Sequence, residues 1–162
     1  MCVLPAHPGP RLIVNVDGAA RGNPGPAGIG VTVADEDGRI VAEIGEGIGH
    51  ATNNQAEYRA ALAGLQLAAE HGARAVLLRS DSRLLVEQLA GRFRVKDPTL
   101  RRLHQEARSL ISVFDDVTLE HVPREENADA DRLANLGIDE WLDTDEGRSY
   151  KRPEPPPRLF EG

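Results

Sequence analysis

The chain has 162 residues, 40% of them hydrophobic and 28% charged, a formal net charge of −7 and a single cysteine, Cys2. That length holds one domain with a real hydrophobic core and is too short for two ordinary ones. No apolar run approaches the roughly 18 residues that span a membrane, and a lone cysteine excludes an internal disulfide or a multi-cysteine zinc centre.

Met1 to Pro10, broken by Pro5, Pro8, Gly9 and Pro10, lacks the basic start and apolar stretch of an export signal. It is expected to be a flexible N-terminus, 1–10, on a cytoplasmic protein. From Arg11 to Asp17 the chain alternates, with Leu12, Val14 and Val16 on one side and Ile13, Asn15 and Asp17 on the other, which reads as a strand. After the turn-rich Gly22-Asn23-Pro24-Gly25-Pro26, residues 27–34 form a second strand. Asp35 to Gly38 is a hairpin connection into a third at 39–48. From Asn54 to His71 the period becomes helical: Tyr58, Leu62, Leu65 and Ala69 share a face and Gly72 supplies the stop.

Ala75 to Arg79 reads as a short buried strand, and Ser80-Asp81-Ser82 offers capping side chains to a helix at about 83–90. Pro98 opens another helix to about 112, Val117 to Val122 is a fifth strand, and Asn127 to Leu136 is a closing helix ended by Gly137. The order βββαβααβα implies an α/β domain over 11–138. Its five-stranded sheet should be mixed, because helical crossovers impose parallel pairings. Residues 139–162, acidic and then proline-rich, are expected to form a tail or linker.

A net charge of −7 argues against a nucleic-acid partner, but its distribution weakens the objection. Acidic residues concentrate in Asp35 to Glu46, Asp115 to Glu126 and Asp139 to Glu146. Between the first two lies a basic stretch carrying Arg83, Arg92, Arg94, Lys96, Arg101, Arg102 and Arg108. On charge alone that stretch is either a solvated helix face or a phosphate contact.

Four acidic residues stand where stability gives little reason for them: Asp17 and Asp81 at strand ends, Glu57 near a helix start, and Asp131 in the closing helix. Ligands gather where strand ends meet helix starts. Each also has a plain explanation, since Asp81 can cap a helix, Glu57 can complement a helix dipole and Asp131 can face water.

Asp17-Gly18 before Gly22-Asn23-Pro24-Gly25-Pro26, Thr52-Asn53-Asn54-Gln55-Ala56-Glu57, Ser80-Asp81-Ser82, and His121 ahead of Asp131-Arg132-Leu133-Ala134 form an ordered set. In that order they resemble the signature of type 1 ribonuclease H, over residues 11–137. The resemblance implies a five-stranded mixed sheet and endonucleolytic hydrolysis of the RNA strand of RNA/DNA hybrids, leaving 5′-phosphomonoesters. It implies Asp17, Glu57, Asp81 and Asp131 as ligands of two Mg²⁺ ions, with Mn²⁺ as a substitute. Hard oxygen donors suit Mg²⁺, and a pair of ions both activates a water and stabilises the leaving oxygen. Asp129 is a weaker candidate for the fourth ligand than Asp131, on the Asp-Arg-Leu-Ala string.

His121 matches the histidine that, in a flexible loop of the family, assists proton transfer or product release. Asn23, Asn53, Asn54 and Gln55 match the family's contacts to the hybrid, where short amides bond 2′-hydroxyls and phosphates, although turn and cap chemistry also explains Asn23 and Asn53. Ser82 and Arg83 are further candidates for contact with the RNA backbone. Some family members grip the DNA strand with a basic helical protrusion; here Gly91 to Pro98 is a short link, as in the variants without it. Arg92, Arg94 and Lys96, or another domain, would then have to compensate.

Three rivals stand beside this reading. Another metal nuclease on the same fold is disfavoured by the Thr52 to Glu57 string, and a silent hybrid-binding module by retention of all four carboxylates. The third is the nuclease half of a fused enzyme, with a covalently linked C-terminal domain. Alone, the chain is expected to be monomeric.

Overall fold

A computed structural model describes residues 11–149; the expectations for 1–10 and for the proline-rich stretch from 150 on lie outside the described residues. Five strands, β1 (Arg11–Ala20), β2 (Gly25–Ala34), β3 (Ile40–Ala51), β4 (Ala75–Ser80) and β5 (Asp116–His121), form one sheet in the order β3-β2-β1-β4-β5. β1, β2 and β3 pair antiparallel as consecutive hairpins, whereas β4 and β5 run parallel to β1. The sheet is therefore mixed, as the crossovers require. The helices are α1 (Asn53–Glu70), α2 (Arg83–Leu89), α3 (Pro98–Ile111), α4 (Ala128–Leu142) and α5 (Asp145–Arg148), with a 3-10 turn at Arg124–Asn127 before α4.

On one face of the sheet Leu12, Val14, Val16, Ile29, Val31 and Val33 are buried in a single core with Tyr58, Leu65, Leu85 and Leu89. Of the four residues that share a face by helical spacing, Tyr58 and Leu65 are buried, Leu62 is half-buried and Ala69 is exposed. The face against the sheet is instead small: Ala60, Ala61, Gly64 and Ala68 are buried, and a Cβ on Gly64 would meet the Val16 and Val14 methyls at 2.7 and 2.8 Å. Tyr58 turns toward α2 and α3, with its hydroxyl on Gln88 and its ring edge-on to His104.

α4 covers β2 and β3 on the opposite face, and there the contact is backbone to backbone. Side chains placed on Gly28 and Gly30 would run into the carbonyl oxygens of Ala134 and Ala130. This explains a correction: Gly137 does not end the closing helix. It lies inside α4, where a Cβ would strike the Glu46 backbone, and the helix continues to Leu142. The acidic stretch from Asp139 to Glu146 thus falls in α4, a short link and α5 rather than in an irregular tail. Among the described residues no helix is long and apolar enough to cross a membrane.

Candidate active site

Register brings the first two carboxylates together. Val16 of β1 pairs with Ser80 of β4, the last pair of that parallel ladder, so the next residues, Asp17 and Asp81, stand side by side where the ladder stops. Asp17 does not end its strand as expected: β1 continues to Ala20, with Asp17 paired to Gly30 of β2. Glu57 arrives from α1. Thr52 and Gln55 close a reciprocal capping box at the start of that helix. The backbone of Gly18 lies so close to Ala56 and Glu57 that a side chain there is excluded. Carboxylate oxygens of Asp17, Glu57 and Asp81 all lie within 4.8 Å of one another. Asp131, in the first turn of α4, lines the same cavity and helps raise the Asp17 carboxyl.

The plain explanations fail for two of the four. Ser82, not Asp81, caps α2, its Oγ accepting from the Leu85 N–H at 3.2 Å. Glu57 lies beyond the first turn of α1, which carries no acidic residue. Asp17 and Glu57 are only 5% and 6% exposed. Burial, reinforced by Glu57 and Asp81, pushes the Asp17 carboxyl far above the usual carboxylate range. Burial, then Asp81, pushes Glu57 up as well. Glu57 Oε2 is buried with no hydrogen-bond partner. A divalent cation relieves both conditions at once, supplying charge to the cluster and a partner to the orphaned oxygen. The donor set is all oxygen, which fits a hard ion.

A cavity of about 650 Å³ opens on the four carboxylates. His121, Asn53 and Ser82 also line it. His121 was expected in a flexible loop, but it is the last residue of β5, paired with Ser80, because the Val122 N–H extends the ladder to the Ser80 carbonyl at 2.9 Å. Its Nε2 lies 3.2 Å from the Asp81 carbonyl oxygen, and the side chain is exposed. Asn23 accepts the Asn53 N–H on its Oδ1 at 3.0 Å. Asn23, Asn54 and Gln55 line a second hollow of about 280 Å³ with Asp97 and Leu100. Gln55 Oε1 is engaged by the Thr52 N–H, leaving its amide nitrogen. Arg83 does not line the cavity that holds the four carboxylates, and Asp129 lines a different pocket from Asp131.

Sequence reasoning missed several residues here. Asn127, 1% exposed, stands at the N-cap of α4 but makes no side-chain capping bond; its amide donates to the Val16 carbonyl at 2.9 Å and its Oδ1 accepts from Asn15 at 3.1 Å. It ties the segment leading to Asp131 onto the strand that carries Asp17. Arg21, Arg124 and Asn135 line the cavity without any motif that would have announced them. In the basic link, Arg92 is held by Glu87 through two hydrogen bonds, whereas Arg94 and Lys96 have no ion pair among the described residues. The link is braced from within: Tyr58 Oη donates to Gln88 Oε1 at 2.6 Å, and Gln88 Nε2 donates to the Arg94 carbonyl at 3.2 Å.

Residues 15–137 match the family model described as reverse transcriptase-like. The chain is 50% identical over 132 residues to a ribonuclease HI of Halobacterium salinarum, covering 82% of this chain and 66% of that protein. It is 46% identical over 130 residues to a bifunctional protein of Mycobacterium tuberculosis, covering 80% of this chain and 36% of that one. The chain thus spans less than two thirds of these relatives. The crystal structure of the Halobacterium salinarum RNase H1 superposes with a TM-score of 0.79, covering 80% of this chain and 98% of that chain. LC11-RNase H1, isolated from compost and solved in complex with an RNA/DNA hybrid, is 40% identical with a TM-score of 0.77, covering 81% of this chain and 99% of that one.

Proposed function

Because the chain belongs to the type 1 ribonuclease H family, we propose that it is an endonuclease that hydrolyses the RNA strand of RNA/DNA hybrids with two divalent ions, Mg²⁺ or in its place Mn²⁺. The observation that carries this is the carboxylate trio with its orphaned, buried Glu57 oxygen, set beside Asp131 in an open cavity. LC11-RNase H1, solved with a hybrid, supports the substrate class.

Asp17, Glu57, Asp81 and Asp131 would hold the ions. When bound, the metal pair supplies positive charge for attack on phosphorus and for the leaving oxygen. The chain's own residues do the rest. Buried Asp17 and Glu57 exclude water from the floor, so charge interactions there are weakly screened. His121, exposed at the rim, can move a proton between the cavity and solvent at a ring nitrogen. Asn53 and Ser82 in the cavity, with Asn23, Asn54 and the Gln55 amide nitrogen alongside, offer hydrogen bonds to the sugar–phosphate backbone and 2′-hydroxyls. Arg83 would extend this surface along α2, and Arg94 and Lys96 of the link, which have no ion pair among the described residues, would serve the DNA strand.

All four carboxylates come from one chain, which supports a monomeric enzyme. The partial coverage of the bifunctional mycobacterial protein supports a fused second domain. A cytoplasmic setting suits a chain with one cysteine. The test is digestion of matched RNA/DNA, RNA/RNA and DNA/DNA duplexes with and without Mg²⁺. Cleavage confined to the RNA of the hybrid, and only with the ion, is the expected result; equal cleavage of all three, or activity in chelator, would contradict the proposal.

A further inference from the structure

The cavity is lined by two arginines, Arg21 and Arg124, and Arg21 is held in place. It follows the last residue of β1, the strand that carries Asp17, and its side chain crosses to α4. There Nη1 donates to Asp139 Oδ1 at 2.7 Å and Nη2 to the Asn135 carbonyl at 3.4 Å. Asn135 in turn donates from Nδ2 to the Asp131 carbonyl at 3.0 Å. Asp131, Asn135 and Asp139 are spaced four apart, so they share one face of α4, and Arg21 lies along it.

Stability does not account for this pairing. Asp139 is 61% exposed and Arg21 35% exposed, and exposed pairs contribute about 0–1 kcal/mol. What the pair does is orient a planar fork of five donors, several of them unused, at the wall of a cavity otherwise rich in carboxylates. An arginine already fixed in direction loses less freedom when an anion docks on it.

We propose that Arg21 is a substrate-positioning residue that donates to a non-bridging phosphate oxygen of the RNA strand on the α4 side of the cut. This rests on the reading that the cavity takes the RNA strand. The strand rise of about 3.3 Å per residue keeps the Arg21 Cα within about 13 Å of the Asp17 Cα, so the contacted phosphate lies within a few nucleotides of the scissile one. Arg21 thereby sets the register of the RNA over the carboxylates, and Asp139 sets the direction of Arg21.

The experiment measures hybrid affinity by fluorescence anisotropy at several salt concentrations in EDTA, in an Asp81→Asn background that cannot cut. Arg21→Gln is expected to weaken binding roughly tenfold, the scale of a charge-assisted hydrogen bond, and to flatten the log–log salt slope by about 0.9. Arg21→Lys and Asp139→Asn keep the positive charge at position 21 and are expected to keep the slope. A set of hybrids, each with one neutral methylphosphonate in the RNA strand, then locates the contact. At one position neutralisation should weaken the parent but not Arg21→Gln. Equal losses in both proteins at every position, or an unchanged slope in Arg21→Gln, would overturn the proposal and leave Arg21 as a tie between β1 and α4. Failure of the parent itself to bind the hybrid would overturn the hybrid reading and this inference with it.

Discussion

The two faces of the sheet are built on different principles. Toward α1 the sheet presents Leu12, Val14, Val16, Ile29, Val31 and Val33, and side chains fill the space. Toward α4 it presents Gly28 and Gly30, and the helix backbone rests on the strand backbone. Glu57 depends on the first face, because α1 carries it, while Asp17 and Asp81 are fixed by strand register. Asp131 depends on the second, because its place is set by how deeply α4 seats. Three carboxylates are therefore locked by core and ladder, and the fourth by a close approach that one methyl group would spoil.

Ranked by expected effect, the carboxylates come first. Asp81→Asn removes a carboxylate from the trio proposed to hold metal and should lower hybrid cleavage by at least about a thousandfold, several kcal/mol of transition-state stabilisation. Asp131→Asn, outside the mutual 4.8 Å cluster, should cost measurably less in the same steady-state assay. Equal losses would break the division into three and one. His121→Ala should slow turnover by roughly 10 to 1,000-fold while metal binding, followed by calorimetry, survives. Loss of metal affinity would place His121 among the ligands instead.

Legibility followed the same division. Alternation in Arg11 to Asp17 and the β-branched run of β2 announce the α1 face, and motif order announces the carboxylates. The α4 face carries a weaker apolar signal: the helix offers Leu133 and Ile138, but the strands answer with Gly28, Gly30, Gly45 and Gly47 rather than with side chains. Gly137 therefore read as a helix stop although it is a contact. Ala69 shares the helical period of Tyr58 and Leu65 but is exposed, because Ala60, Ala61, Gly64 and Ala68 form the buried face of α1. Asn127 and Arg21 were not legible, since their partners, Val16 and Asp139, lie over a hundred positions away. Only the fold brings them together.

Gly30→Ala tests the second face directly. The added methyl should cost about 1–3 kcal/mol by overpacking, read from the urea midpoint, and shift Asp131 enough to lower cleavage about a hundredfold. Asp131→Glu in the same background, one methylene longer, should recover part of the activity without recovering stability. No recovery would mean that the glycine serves packing alone. The smallest effect belongs to the link. Replacing Arg94 and Lys96 by Gln should weaken hybrid binding a few-fold and flatten the salt slope by up to about 0.9 per contact, whereas Arg92, already paired with Glu87, should contribute least.

The central claim is that the carboxylate cluster opposes folding so that it can hold metal, and Asp17 tests both halves at once. Its carboxyl, raised by burial and by Glu57 and Asp81, holds a proton in the folded state at pH values where the unfolded chain has released it. Its stabilising contribution is thus complete below the ordinary carboxylate pKa of about 4 and is lost as pH rises toward the raised folded value. In EDTA the melting temperature of the parent should therefore fall as pH rises from about 4 through neutrality. Asp17→Asn should flatten that fall, melt roughly a few degrees higher at neutral pH, and show no Mg²⁺-dependent cleavage of the hybrid. An Asp17→Asn protein that cleaves at near-normal rate, or that melts with the parent's full pH dependence, would contradict the account.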